Sequence, residues 1–216
     1  MGGKCPSPLG NVVDPLEVIQ TYGVDPFRYF LLKEVPFGLD GNFSREALIN
    51  RINSELANDF GNLANRVIAM VFKYFGGKVP EPVQEETAMK TLAEGILDRM
   101  QDALKTFAFH QALDAIWELV SHTNKYIDET APWRLAKDPQ HKERLQTVMY
   151  SVIEALRFLA MYLHPFMPES TQKLWEQLGQ QSQLAEVNLI DKAKWGKLLP
   201  GTLVHKGKPL FPRIDK

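Results

Sequence analysis

The chain has 216 residues, 44% of them hydrophobic and 24% charged, with a net charge of −1, which is long enough to bury a sizeable core. It has no apolar run near the about eighteen residues of a membrane span, its MGGKCPSP start has no hydrophobic signal region, and a lone Cys5 excludes an internal disulfide and fits a reducing compartment. Charge is uneven: from Asp191 onward seven Lys or Arg stand against two Asp, leaving −6 for the rest, so bulk attraction cannot hold nucleic acid and any RNA contact must be local.

In chain order, Pro6 and Pro8 argue against helix in the first ten residues. Asp14-Pro15-Leu16-Glu17 reads as a capped helix start with proline at its first position, and Gly23 as its end. Asp25-Pro26 repeats that start, predicting a mostly buried helix to about Val35 through Phe27, Tyr29, Phe30, Leu31 and Leu32. A turn at Gly38, Asp40, Gly41 and Asn42 leads to Ser44, the predicted cap of a long helix reaching Phe75. Its apolar residues Ile49, Ile52, Leu56, Phe60, Leu63, Val67, Met70 and Tyr74 keep one stripe on a partner. At about 1.5 Å per residue it is roughly 45 to 50 Å long, the mast of a bundle.

Gly76 and Gly77 stop the mast, and Pro80 and Pro82 keep the next segment extended. Further helices are expected at about Gln84 to Thr106, with Leu92, Ile96, Met100 and Leu104 inward, and from Phe109 to about Glu129, with a stripe of Phe109, Leu113, Ile116, Val120, Thr123 and Ile127. Pro132 ends the second and leaves Trp133 just beyond. A helix from about Pro139 to Leu163 is broken by Pro165 and Pro168, and a last one runs from about Glu169 to Leu178. Beyond Gln180 the pattern fades; 203–211 reads as a hairpin turning at Gly207 or as extended chain. The expected fold is all-α, an antiparallel helix bundle with an irregular or hairpin tail. The expected division is 1–43, connecting helices; 44–180, the bundle; and 181–216, a basic tail that is either a solvated surface or packed back on the body.

Opposite the apolar stripe, the mast carries Asn58, Asn62, Asn65 and Arg66. A face that only needs wetting would normally use Glu, Lys or Gln, because asparagine is roughly 0.6 kcal/mol worse than alanine in a helix. Amides and a guanidinium fork are the groups that read exposed base edges. Solvated face and base recognition both remain open on spacing alone. Trp133 likewise has two readings, a lid on the core or a rigid platform for an unpaired base, its backbone fixed by Pro132. Scattered His110, His122, His141, His164 and His205 form no metal site. No phosphate loop, paired carboxylates or activated nucleophile stands out.

The runs LGNVVDPLEVIQTYGVDPFRYFLL, NDFGNLANRV, ETAPW and LHPFMPESTQKLW closely resemble bacterial methionyl-tRNA synthetases from about Leu9 to the final KPLFPRI. The Asp-Pro starts and the Pro-Phe-Met-Pro break are shared by several class I synthetases; Asn-Leu-Ala-Asn-Arg with Ala-Pro-Trp is more specific. The resemblance implies the anticodon-binding bundle of a cytoplasmic methionine–tRNA ligase. Asn62 and Arg66 would contact anticodon bases, Asn58 would lie one turn earlier, Asn65 would be an additional contact, and Pro132 with Trp133 would supply the stacking surface. The implied partners are the CAU anticodon loop of methionine tRNA and the catalytic part of the same enzyme, which uses ATP and in some members zinc. The chain itself is expected to need no cofactor, to be a monomer, and to have no catalytic residue.

One departure stands before LGN, where the family carries a lysine-methionine-serine-lysine-serine loop. Here the residues are Lys4-Cys5-Pro6-Ser7-Pro8, with only Lys4 matching. Met1–Pro8 is either cloning-derived or a diverged loop, and no aminoacylation is expected of this chain alone. The competing readings are the matching bundle of an isoleucine, valine, leucine or cysteine enzyme, and a helical protein-interaction scaffold.

Overall fold

A computed structural model describes residues 14–34 and 44–215. The expectations for Pro6 and Pro8, the loop at Lys4–Pro8, Val35 and the turn at Gly38–Asn42 lie outside these residues. In order, the described elements are α1 (Pro15–Tyr22), α2 (Val24–Glu34), α3 (Arg45–Arg51), a π-helical stretch (Ile52–Gly61), α4 (Asn62–Phe75), α5 (Thr87–Lys105), α6 (Phe109–Thr130), α7 (Pro132–Leu135), a 3-10 turn (Pro139–His141), α8 (Lys142–Leu163), α9 (Pro168–Gln177), a second 3-10 turn (Leu184–Glu186) and α10 (Leu189–Lys192). Among the described residues the only β pairing is one antiparallel bridge, Lys78 with Leu203.

The bundle is built around α8 rather than around the mast. From Thr147 to Leu163 every α8 residue is buried, because α4, α5, α6, α7 and α9 all pack against it. Its sequence gives the reason: apolar residues lie on every side, and the interruptions are Thr147, whose hydroxyl accepts the N–H groups of Val83 and Gln84 at 3.2 Å, Ser151, whose hydroxyl bonds the Thr147 carbonyl at 2.8 Å, and a buried ion pair. Glu154 and Arg157 meet through two bonds of 2.7 and 2.8 Å at essentially zero exposure. Such a pair survives burial only when its remaining donors and acceptors are also satisfied. They are: Arg157 donates to the carbonyls of Lys192 and Lys194 at 2.9 and 2.8 Å, and Glu154 accepts the N–H groups of Gly196, Lys197 and Leu198 at 2.9 to 3.2 Å.

That pair therefore fastens the tail to the body. The Leu198 carbonyl also accepts the Tyr150 hydroxyl at 2.9 Å, and burial pushes that phenol up to about 12. Further on there is no hairpin at Gly207. Val79 N–H bonds the Thr202 carbonyl at 2.9 Å and Val204 N–H bonds the Gly77 carbonyl at 2.9 Å, so the tail pairs with the segment after α4. Gly207 lies against the Gln177 side chain, whose amide an added Cβ would have to displace. The tail ends on the π-helix: Asn53 clamps Ile214 through a reciprocal pair of 2.8 Å bonds, and Phe211 packs on Phe60.

The mast is one continuous run of helix, but its middle is wound more widely than an α-helix. Asn62 N–H donates to the carbonyl of Ala57, five residues back. Up to Phe60 the buried apolar positions are Leu48, Ile52, Leu56 and Phe60, and beyond it Leu63, Ala64, Val67, Ile68 and Val71 are buried, with Ile49, Met70 and Tyr74 only half-buried. Three consecutive steps of four would drift by about 40° each on an α-helix. The i→i+5 winding absorbs that drift and keeps the stripe on the core.

Asp14 caps α1 as expected, accepting Leu16 N–H at 2.8 Å, and Gly23 ends it with a φ of 91°. Asp25 does not cap its own helix. It sits buried inside the first turn of α2 and accepts the Ser170 N–H of α9 at 2.6 Å, while Arg28 donates to the carbonyls of Pro165 and Phe166 at 2.8 and 3.1 Å. One helix thus supplies groups for the orphaned backbone on both sides of the Pro-Phe-Met-Pro break. Leu31, expected inside, is 40% exposed.

Candidate nucleic-acid interface

The mast and α6 meet along a polar seam. On α6, Asn124 and Asp128 lie one turn apart on one face. Asn124 Nδ2 donates to the Asp59 carbonyl at 3.1 Å, and the Arg66 guanidinium donates to Asp128 at 2.9 Å. Asn58 and Asn62 are exposed, and Asn65 and Arg66 are half-buried. Asn62 stands between Asp59 and Arg66 on the mast, at the edge of the seam. Asn58 is on the π-helical stretch, so the wide winding sets its direction relative to Asn62. Burial, aided by the nearby Glu55 carboxylate, raises the Asp59 carboxyl above its usual range.

Three residues beyond Asp128 the chain turns sharply. Ala131 adopts the left-handed region at φ 45°, and its carbonyl accepts the N–H groups of Arg134 and Leu135 at 2.7 and 3.3 Å. A non-glycine residue there stores strain of order 1 to 2 kcal/mol. The result is α7, a single turn in which Pro132 is buried and Trp133 stays 40% exposed. The indole is no lid on the core. It stands at the end of α6, at the same end as the residue that grips Arg66.

The Arg66–Asp128 pair ties the amide-bearing face of the mast to the last turns of α6, five residues before Trp133 in the sequence. Spacing alone gave no sign of Asp128, because an acid on a helix surface is unremarkable until its partner is visible. Among the described residues no group of three or more His, Cys, Asp or Glu could hold a metal.

Residues 88–204 match the family model described as the anticodon-binding domain of tRNA ligase. The chain belongs to this anticodon-binding family. Residues 1–68 match a second model, described as tRNA synthetases class I (M). The chain is 50% identical over 217 residues to a methionine–tRNA ligase of Caldanaerobacter subterraneus subsp. tengcongensis, covering 99% of this chain and 34% of the relative. It is 44% identical to that of Bacillus subtilis, covering 99% and 32%. It thus spans about a third of the length of these relatives. Two solved structures of Mycobacterium tuberculosis methionyl-tRNA synthetase share the fold. The apo form has a TM-score of 0.86 at 38% identity, covering 95% of this chain and 42% of that one. The form bound by methionyl-adenylate has a TM-score of 0.87 at 40% identity, covering 95% and 41%. These matches give the anticodon-binding domain relatives of the methionine class, as the Asn-Leu-Ala-Asn-Arg and Ala-Pro-Trp motifs implied, and disfavour the scaffold reading.

Proposed function

We propose that this chain binds methionine tRNA by reading its CAU anticodon, as the anticodon-binding part of a methionine–tRNA ligase, the enzyme that makes methionyl-tRNA from methionine, ATP and tRNA. The observation that supports this is the Arg66–Asp128 pair, which ties the mast to the last turns of α6, five residues before the exposed Trp133. Unpaired bases splay from the loop, one stacks on Trp133, and Asn58, Asn62 and Arg66 offer donors and acceptors to base edges, with Asn65 as a further contact. Pro132, buried beneath, keeps the platform rigid. Arg66 exchanges Asp128 for a base edge or phosphate when RNA arrives, so its ion pair holds the fork ready without quenching it.

RNA binding by this chain requires no cofactor or metal, and the chain acts as a monomer in the cytoplasm; no helix among the described residues is long and apolar enough to cross a membrane. The test is a titration of stem-loops bearing CAU and altered anticodons against wild type and Trp133→Ala. A CAU preference that the substitution weakens supports the reading, and equal binding of all anticodons overturns it.

A further inference from the structure

Farther along α6, away from Trp133, Trp117 borders an open surface pocket of about 450 Å³ lined by residues of that helix alone, Asp114, Trp117, Glu118, Ser121, His122 and Lys125. We propose that this pocket is a second nucleobase site, taking an unpaired base from the RNA loop outside the anticodon triplet; the proposal rests on the function proposed above. Trp117 and Asp128 are eleven residues apart, so they lie within about 20° on one face and about 16 Å along the axis. That face is the one turned to the mast at Asn124 and Asp128, so a loop held at Trp133 is carried past Asn62 toward Trp117.

The pocket has the parts an aromatic anion-bearing ligand requires. Its half-buried indole is fixed from behind by Tyr29 and Phe60, with ring centroids at 4.9 and 6.5 Å. Two carboxylates that would repel RNA are already engaged: Lys33 holds Asp114, and the Arg99 fork holds Glu118 through bonds of 2.6 and 2.5 Å. Ser121 and His122 remain for base edges. Lys125 remains for the phosphate, held only by a 3.7 Å contact to exposed Glu129. In a body carrying net negative charge, neutralised acids beside a lysine and an indole form a local exception of the sort RNA contact demands.

The experiment uses CAU stem-loops in which each unpaired nucleotide outside the anticodon is made abasic in turn, titrated against wild type, Trp117→Phe and the surface double variant His122→Ala with Lys125→Ala. One abasic position should weaken wild-type binding about 5- to 100-fold, and the double variant should lose most of that sensitivity while retaining its CAU preference and its melting temperature. If wild type prefers CAU but no flanking abasic position matters, or if the double variant stays equally sensitive, the second site is overturned and the anticodon reading stands. If wild type shows no CAU preference, both fall.

Discussion

Arg66 on the mast and Asp128 on α6 are joined at 2.9 Å across 62 residues of sequence, and the pair sits where bases are expected to be read. Its side chains are 33% and 64% exposed, so as an ion pair it is worth only about 0 to 1 kcal/mol. Asp128→Ala is therefore expected to leave the melting temperature nearly unchanged. It should raise affinity for stem-loops of any anticodon, because it frees a guanidinium and removes an acid from the site, and so narrow the CAU preference. Binding titrations at fixed salt check this; an unchanged preference would assign Asp128 a structural role only.

Trp133→Ala is expected to cost about 1 to 3 kcal/mol in CAU stem-loop binding, with little change in folding because the ring is already 40% exposed. Trp133→Phe should recover part of the loss. Fluorescence titration measures the first effect and thermal unfolding the second.

The Glu154–Arg157 pair makes a stability prediction. Glu154→Ala strands a buried guanidinium and three tail N–H groups, and is expected to destabilise the fold by about 3 to 5 kcal/mol. Replacing both residues, Glu154→Met with Arg157→Leu, removes the stranded charge but still leaves the N–H groups of Gly196, Lys197 and Leu198 unmet. That double variant should fall between wild type and Glu154→Ala in urea unfolding, and protease cleavage near Lys194 and Lys197 should quicken in both.

His164 supplies a pH dependence. Burial lowers its pKa below the usual 6.5, against an opposing pull from Asp25, and Nδ1 lies 2.9 Å from the Thr171 hydroxyl. The folded protein takes up this proton less readily than the unfolded chain. Its contribution is therefore fully present above about pH 6.5 and is lost as pH falls through the folded pKa. Urea midpoints at pH 7.5 and 5.5 should differ less in His164→Gln than in wild type.

Most of this fold can be read locally. The cap at Asp14, the stop at Gly76 and Gly77, and the stripe of α6 from Leu113 to Ile127 each depend on neighbours within a few turns, so periodicity and capping chemistry predict them. What escapes sequence reasoning depends on distant partners. Asp25 looks like a cap for the helix it occupies, and only the approach of α9 reveals whose N–H it accepts. The mast looks central because its stripe is clean, whereas α8, whose Val148, Val152, Ala155, Leu159 and Tyr162 read as an ordinary one-sided stripe, is the helix buried on all sides. The candidate site is intermediate: Asn58, Asn62, Arg66 and Trp133 stand out by composition and resemblance, while Asp128, which ties Arg66 in place, emerges only when the two helices are side by side.

The uninterrupted burial of α8 has an evolutionary corollary. A surface helix tolerates substitution in a rhythm of one face in two, so its permissive positions recur every three or four residues. Between Thr147 and Leu163 that rhythm has no outward face to arise from. A saturation library of this protein should show an unbroken band of intolerance there, flanked by helices whose tolerance oscillates. Drift in this lineage is then channelled into the outer helices, which also carry the seam proposed to meet RNA.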